Sequence, residues 1–187
     1  MKNTFYFLLL LVLGLSACKK EEQEVSPPVP SNELLTTARL TLISADHQDT
    51  VVAIWRDVTP EDATPPDTSL ALLNLKIHTH YSASLELLDE TKSPAEDITA
   101  EIQERGNYHR IFYFPSASLS PELTWNVNDL DTNNPPLAIG LTADVSCDSV
   151  SSGYLNVILK HQPNVKDGTF APGSTDMDVN FRVLIQP

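Results

Sequence analysis

From Leu34 to the C-terminus the apolar positions recur at every second residue. Met177, Val179, Phe181, Val183 and Ile185 alternate with Asp178, Asn180, Arg182 and Leu184. Leu137, Ile139, Leu141, Ala143 and Val145 follow the same rule, as do Leu123, Trp125 and Val127, and Leu155, Val157 and Leu159. A period of two turns one set of side chains to a core and the other to water, which predicts half-buried strands. Further candidates at 36–43, 50–56, 69–76, 80–89 and 109–114 bring the number to nine. Clusters of Pro, Gly, Asn and Asp separate them, notably at 59–67, 131–136 and 167–174. Nine short strands joined by turns predict an all-β protein, an antiparallel immunoglobulin-like β-sandwich.

One segment breaks the period. Ser93-Pro94-Ala95-Glu96 reads as a capping box, with a serine cap, proline at the first helical position and glutamate three residues after the cap. Ile98 and Ile102 then fall on one face, and Gly106 supplies a left-handed stop. The spacing predicts a helix over about 94–105 whose outer, acidic face carries Glu96, Asp97, Glu101 and Glu104. A second local signature is Leu75-x-x-x-Thr79-x-Tyr81-x-x-x-Leu85. It resembles the corner leading into the penultimate strand of fibronectin type III domains, with Ile77 where that family has proline. The resemblance implies that the Tyr81 hydroxyl bonds back to the main chain and fixes an arch between two sheets.

The N-terminus reads differently. Lys2 precedes an apolar run from Phe5 to Leu13, and Leu15-Ser16-Ala17-Cys18 closes it with small residues before a cysteine. The run is short of the ~20 residues that a membrane-spanning helix needs. Leu-Ser-Ala-Cys resembles the lipobox of bacterial lipoproteins, which implies a cleaved signal peptide at 1–17 and lipidation of Cys18. Residues 19–33 are charged and then proline-rich without apolar periodicity, so 18–33 reads as a lipidated, disordered tether and 34–187 as the sandwich domain. Lys19-Lys20-Glu21-Glu22 resembles the export signal of surface-displayed Bacteroidetes-type lipoproteins, which implies an outer-membrane, lipid-anchored protein facing the outside or the periplasm.

Charge narrows the partners. The chain holds 12 Lys and Arg against 25 Asp and Glu, a net charge of −13, and loss of residues 1–17 would remove Lys2 but no acid. That surplus repels phosphate backbones and anionic lipid, which argues against nucleic acid and leaves membrane attachment to the acyl chains. Of the two cysteines, lipid would consume Cys18, so Cys147 has no intrachain partner for a disulfide. Asp144 and Asp148 beside it disfavour a thiolate nucleophile.

Two sets of residues could ligate metal. His78 and His80 lie two apart, a chelating spacing on a strand, and a site built on them would draw on His109, His161 or a carboxylate from elsewhere. Solvated strand histidines are the alternative. Asp129-x-Asp131-x-Asn133 has the alternating oxygen donors that open a calcium loop, although Asn134-Pro135 replaces the sharp-turn glycine and Gly140 stands where a bidentate glutamate belongs. A solvated hairpin loop is the alternative there. No nucleophile elbow, HExxH, phosphate-cradling loop or dinucleotide fingerprint occurs, so the chain reads as a non-enzyme with no cofactor beyond its covalent lipid. Glu86, Asp89 and Glu90 supply carboxylates for a glycan hydrolase, with nothing that sets them across a cleft.

The stretch Leu87-Leu88-Asp89-Glu90-Thr91-Lys92-Ser93-Pro94-Ala95-Glu96-Asp97-Ile98-Thr99, with Glu101-Ile102, His109-x-x-Phe112-Tyr113, Asn128-Asp129-Leu130-Asp131 and Leu159-Lys160-His161-Gln162-Pro163, resembles blocks of a Bacteroidetes-type outer-membrane lipoprotein family. The resemblance spans about 34–187 and brings no established activity. Members are often labelled as periplasmic-binding-fold proteins, but such folds need repeated βαβ units, and this chain shows one helical segment. The resemblance implies company with TonB-dependent outer-membrane receptors. The expected function is a surface or periplasm-facing binding or accessory module, with a zinc, copper or calcium-binding lipoprotein as the alternative and a glycan hydrolase as the third reading.

Overall fold

The structure is a computed structural model that describes residues 34–187. The expected signal peptide at 1–17, Cys18 and the expected tether at 18–33 lie outside the described residues. Two sheets pack face to face. The first has the order β2-β1-β4-β8-β7, formed by β1 (Thr37–Ser44), β2 (Thr50–Arg56), β4 (Thr79–Asp89), β7 (Leu123–Val127) and β8 (Thr142–Cys147), with the two-residue β5 (Glu96–Asp97) attached to β4. The second has the order β3-β10-β9-β6, formed by β3 (Leu72–Lys76), β6 (His109–Pro115), β9 (Ser151–His161) and β10 (Ser174–Gln186). Every named pair is antiparallel except β3 with β10, which run parallel from Leu72 opposite Arg182 to Lys76 opposite Gln186. The β-sandwich expected from the period is therefore present, with one parallel seam in it.

The core is built from the alternating residues. Met177, Val179, Phe181, Val183 and Ile185 of β10 face Leu40, Leu42, Tyr81, Leu85 and Leu87 of the other sheet in one buried cluster. Burying one such side chain contributes about 1.5–3 kcal/mol, so the alternation itself supplies most of the driving force. The Tyr81 corner is formed as expected. Its hydroxyl accepts the Lys76 main-chain N–H at 3.0 Å and donates to Asp49 Oδ2 at 3.0 Å. Burial is the main reason that its pKa lies above the ordinary phenol value.

The helix is shorter than the capping box implied. α1 spans Ile98–Glu104, with Asp97 rather than Ser93 as its cap, the carboxylate accepting the Thr99 N–H at 2.9 Å. Glu96 and Asp97 are extended and pair with Asp89 and Leu88 of β4. Strand pairing thus competes with the first helical turn and wins, and Thr99 ties the helix to β4 by accepting the Leu87 N–H at 2.8 Å. Ile98 and Ile102 are the buried face, as the spacing required. Gly106 is not left-handed; a Cβ there would stand 2.6 Å from Ile139 Cδ1, the tip of a side chain that would have to move aside. The strand expected over 137–145 begins only at Thr142. Gly140, at φ 108°, turns the chain, and the segment before it bonds instead to β6 through the Ile111 N–H and the Ile139 carbonyl.

Candidate functional site

Period two fixes which side of β6 and β9 meets the core. His109 continues inward from Ile111, and His161 continues inward from Leu155, Val157 and Leu159. The two histidines are direct cross-strand partners at the end of the sheet. Their rings stack with centroids 4.9 Å apart and planes 17° apart. On the other side of β9, β10 begins with Ser174 opposite His161 and Thr175 opposite Lys160, and then Met177 opposite Leu159. Asp176 is the extra residue of a β-bulge. A bulge re-aims the side chain it inserts, and here the Asp176 carboxylate is almost fully buried and reaches to 4.0 Å from His161 Nδ1.

Asp176 joins His109 and His161 in the one group of three metal-ligating side chains found among the described residues, with ligand atoms all within 4.8 Å of one another. His109 Nδ1 lies 3.1 Å from the Arg105 carbonyl. A carbonyl only accepts, so Nδ1 carries the proton and the lone pair of the neutral ring is on Nε2. Burial, and then the charge on His161, lower the His109 pKa to about 4, which keeps that ring neutral at physiological pH. Burial raises the Asp176 pKa, with His161 opposing it. His161 Nε2 is buried without a hydrogen-bond partner. A buried polar atom left in that state costs about 1–3 kcal/mol, which an ion would recover. Two imidazoles and one carboxylate suit zinc or copper rather than calcium. Tetrahedral zinc needs donors ~3.3 Å apart, so the cluster has to contract by roughly 1.5 Å.

The chain around the cluster is pinned. Gly173, at φ 79°, passes so close to β9 that a Cβ would stand 2.1 Å from the His161 carbonyl oxygen. Gln162 is fully buried and donates to the Thr169 and Pro172 carbonyls, each at 3.0 Å. Lys160 Nζ donates to the Gly173 carbonyl at 3.1 Å. Lys166 reaches across to Asp131 at 2.7 Å and to the Gly106 carbonyl at 2.8 Å, in an ion pair whose side chains are essentially buried. Burial lowers the Lys166 pKa against the pull of Asp131. For Asp131, burial works upward, but the hydrogen bonds from Leu137, Lys166 and Asn133 outweigh it and the pKa falls.

The sequence-derived candidates separate. His78 is a turn residue at φ 52° and is exposed, and His80 is exposed on β4. Of the histidines named from the sequence, His109 and His161 enter the three-ligand group, and His78 and His80 do not. Asp129 accepts the Gly140 and Leu141 N–H groups, each at 2.9 Å. Asp131 accepts the Asn133 and Leu137 N–H groups as well as Lys166, and Asn133 donates its side chain to Asp131 at 2.8 Å. These oxygens fold the loop. A groove of about 490 Å³ lies beside them, between α1 and the loop, lined by Gln103, Glu104, Asn107, Leu130 and Thr132 among others. Glu86 and Glu90 pair with Arg39 and Arg56, and Asp89 caps a turn at Thr91. Cys147 is buried, and burial, followed by Asp148, pushes its thiol up to about 11.

From the sequence, His109 and His161 are only further ligands for a site built on His78 and His80, and Asp176 is not a candidate at all. Simple alternation from Met177 sends Asp176 outward, and nothing in the residue types announces the bulge. Comparisons with protein-family profiles, with curated proteins and with solved structures return no match for this chain.

Proposed function

We propose that this protein is a lipid-anchored binding module, tethered through Cys18 at the outer membrane, that holds a divalent transition-metal ion, zinc or copper, between His109, His161 and Asp176. The observation that carries the metal reading is the convergence of these three side chains, one of them with a buried ring nitrogen that no group among the described residues satisfies. The His109–Arg105 contact supports it, because a carbonyl on the far ring nitrogen fixes the tautomer of a metal-bound histidine. Both histidines are at most 7% exposed, which denies access to a sugar ring and so favours binding over glycan hydrolysis. The tether and anchor would present the loaded domain to a membrane partner such as a TonB-dependent receptor.

The test is calorimetry on metal-free protein with zinc, copper(II) and calcium in turn. The expected result is one equivalent of zinc or copper bound, calcium inert, and at least a tenfold loss of affinity in both His161→Ala and Asp176→Asn, since loss of even a group that only supports a ligand costs about 10–100-fold. Absence of heat with zinc and copper refutes the metal reading. An unmodified Cys18 thiol in the mass spectrum of the exported protein refutes the anchor independently.

A further inference from the structure

β6 ends one sheet and β7 ends the other, and the segment before Gly140 bonds to part of the β6 edge between them. A groove of about 290 Å³ occupies this edge, lined by Arg110, Phe112, Tyr113, Trp125, Asn126 and Ala138 among others. Two of these residues carry buried N–H donors with no acceptor among the described residues, Arg110 Nε and Trp125 Nε1. A buried donor left without an acceptor is destabilising, and both residues line this one groove. We infer that this edge groove is a binding site for a small carboxylate that carries a ring, with the carboxylate held by Arg110 and Trp125.

The chemistry of the walls selects that ligand. None of the lining residues is acidic, in a chain with 25 acids against 12 Lys and Arg. The acids nearest to Arg110 in effect, Asp129 and Asp131, have committed their oxygens to the 137–141 segment, Asn133 and Lys166. An arginine fork matches a planar carboxylate, and the indole N–H adds a second donor without charge. The guanidinium lies 5.0 Å from the Phe112 ring centroid, which orients the fork. The Trp125 ring is backed by Tyr113, with centroids 4.7 Å apart, and the Tyr113 hydroxyl is tied to the Gly140 carbonyl at 2.7 Å. A rigid aromatic wall beside a donor pair fits a ring attached to the carboxylate. The volume is at the small end of ligand pockets and suits one ring rather than a chain of them. The site shares no ligating residue with the His109–His161–Asp176 cluster, so it stands whether or not that cluster holds metal.

The sequence has two tryptophans, so Trp55→Phe makes Trp125 the sole reporter. The full chain in detergent, carrying that substitution, is titrated with benzoate and with galacturonate, and in parallel with the uncharged counterparts benzyl alcohol and galactose. The expected result is a saturable change in indole emission with at least one carboxylate, at least tenfold weaker with its neutral counterpart. Addition of Arg110→Gln should weaken carboxylate binding at least tenfold with the far-ultraviolet spectrum retained. Equal responses to charged and neutral probes, no saturable response to either carboxylate, or undiminished binding in a folded Arg110→Gln variant would each overturn the inference. The probe comparison needs no Arg110 variant, so a variant that fails to fold leaves the test intact.

Discussion

Acid should loosen this domain through His109 before most of its carboxylates are protonated. In the unfolded chain the imidazole titrates near its ordinary 6.5; in the folded domain, burial first and His161 second hold it at about 4. Between those values the unfolded state binds more protons than the folded one. The stabilisation is therefore complete above pH 6.5 and is lost as the pH falls towards 4. Each pKa unit is worth about 1.4 kcal/mol, so the full interval amounts to about 3 kcal/mol, of which about 2 kcal/mol is lost between pH 7 and pH 5. That is a large part of the roughly 5–15 kcal/mol that holds a domain together. The assay is urea unfolding of metal-free protein at pH 7, 6 and 5, for the wild type and for His109→Leu. Asp131 and Glu90, whose pKa values are lowered, act mainly below this window, and Asp176, whose pKa is raised, contributes stability that is lost as pH rises. Subtracting the variant's pH dependence from that of the wild type isolates the His109 contribution. Equal slopes in the two proteins would refute the burial argument, and with it the neutral, ligand-ready state of the ring.

Two further outcomes follow from single contacts. Tyr81→Phe keeps the ring but orphans the Lys76 N–H and removes the donor to Asp49, and should cost about 1–2 kcal/mol in the same urea assay, with no change in the sheet signal by circular dichroism. Gly173→Ala forces a methyl group towards the His161 carbonyl at a left-handed position and should cost at least about 2 kcal/mol, read as a fall in Tm. It should also weaken zinc binding, because Gly173 introduces the strand that carries Asp176.

The strands were legible because their signal is redundant. In β10, five inward residues repeat one message, and in β4 the run from Tyr81 to Leu87 does the same. The tyrosine corner was legible because it is a local pattern with its own geometry. Features that depend on one residue in a tertiary setting were not. Ser93 and Asp97 are both competent caps, and only the pairing of Glu96 and Asp97 with β4 decides between them. The alternating acids Asp129 and Asp131 look like cation ligands by type, yet main-chain N–H groups and Lys166 reach them first. Asp176 is hidden for the opposite reason. A single inserted residue reverses the side to which alternation assigns it, and the register that reveals the insertion lies in β9, well upstream in the chain.

The parallel seam has a consequence for how the domain comes into being. The final strand sits inside its sheet, with β3 on one flank and β9 on the other. Until Ser174–Gln186 arrives, β3 has no partner in that sheet and the apolar faces of both layers stay uncovered. Completion of the sandwich therefore waits on the last strand in chain order, which has to slot between two neighbours rather than add to an edge.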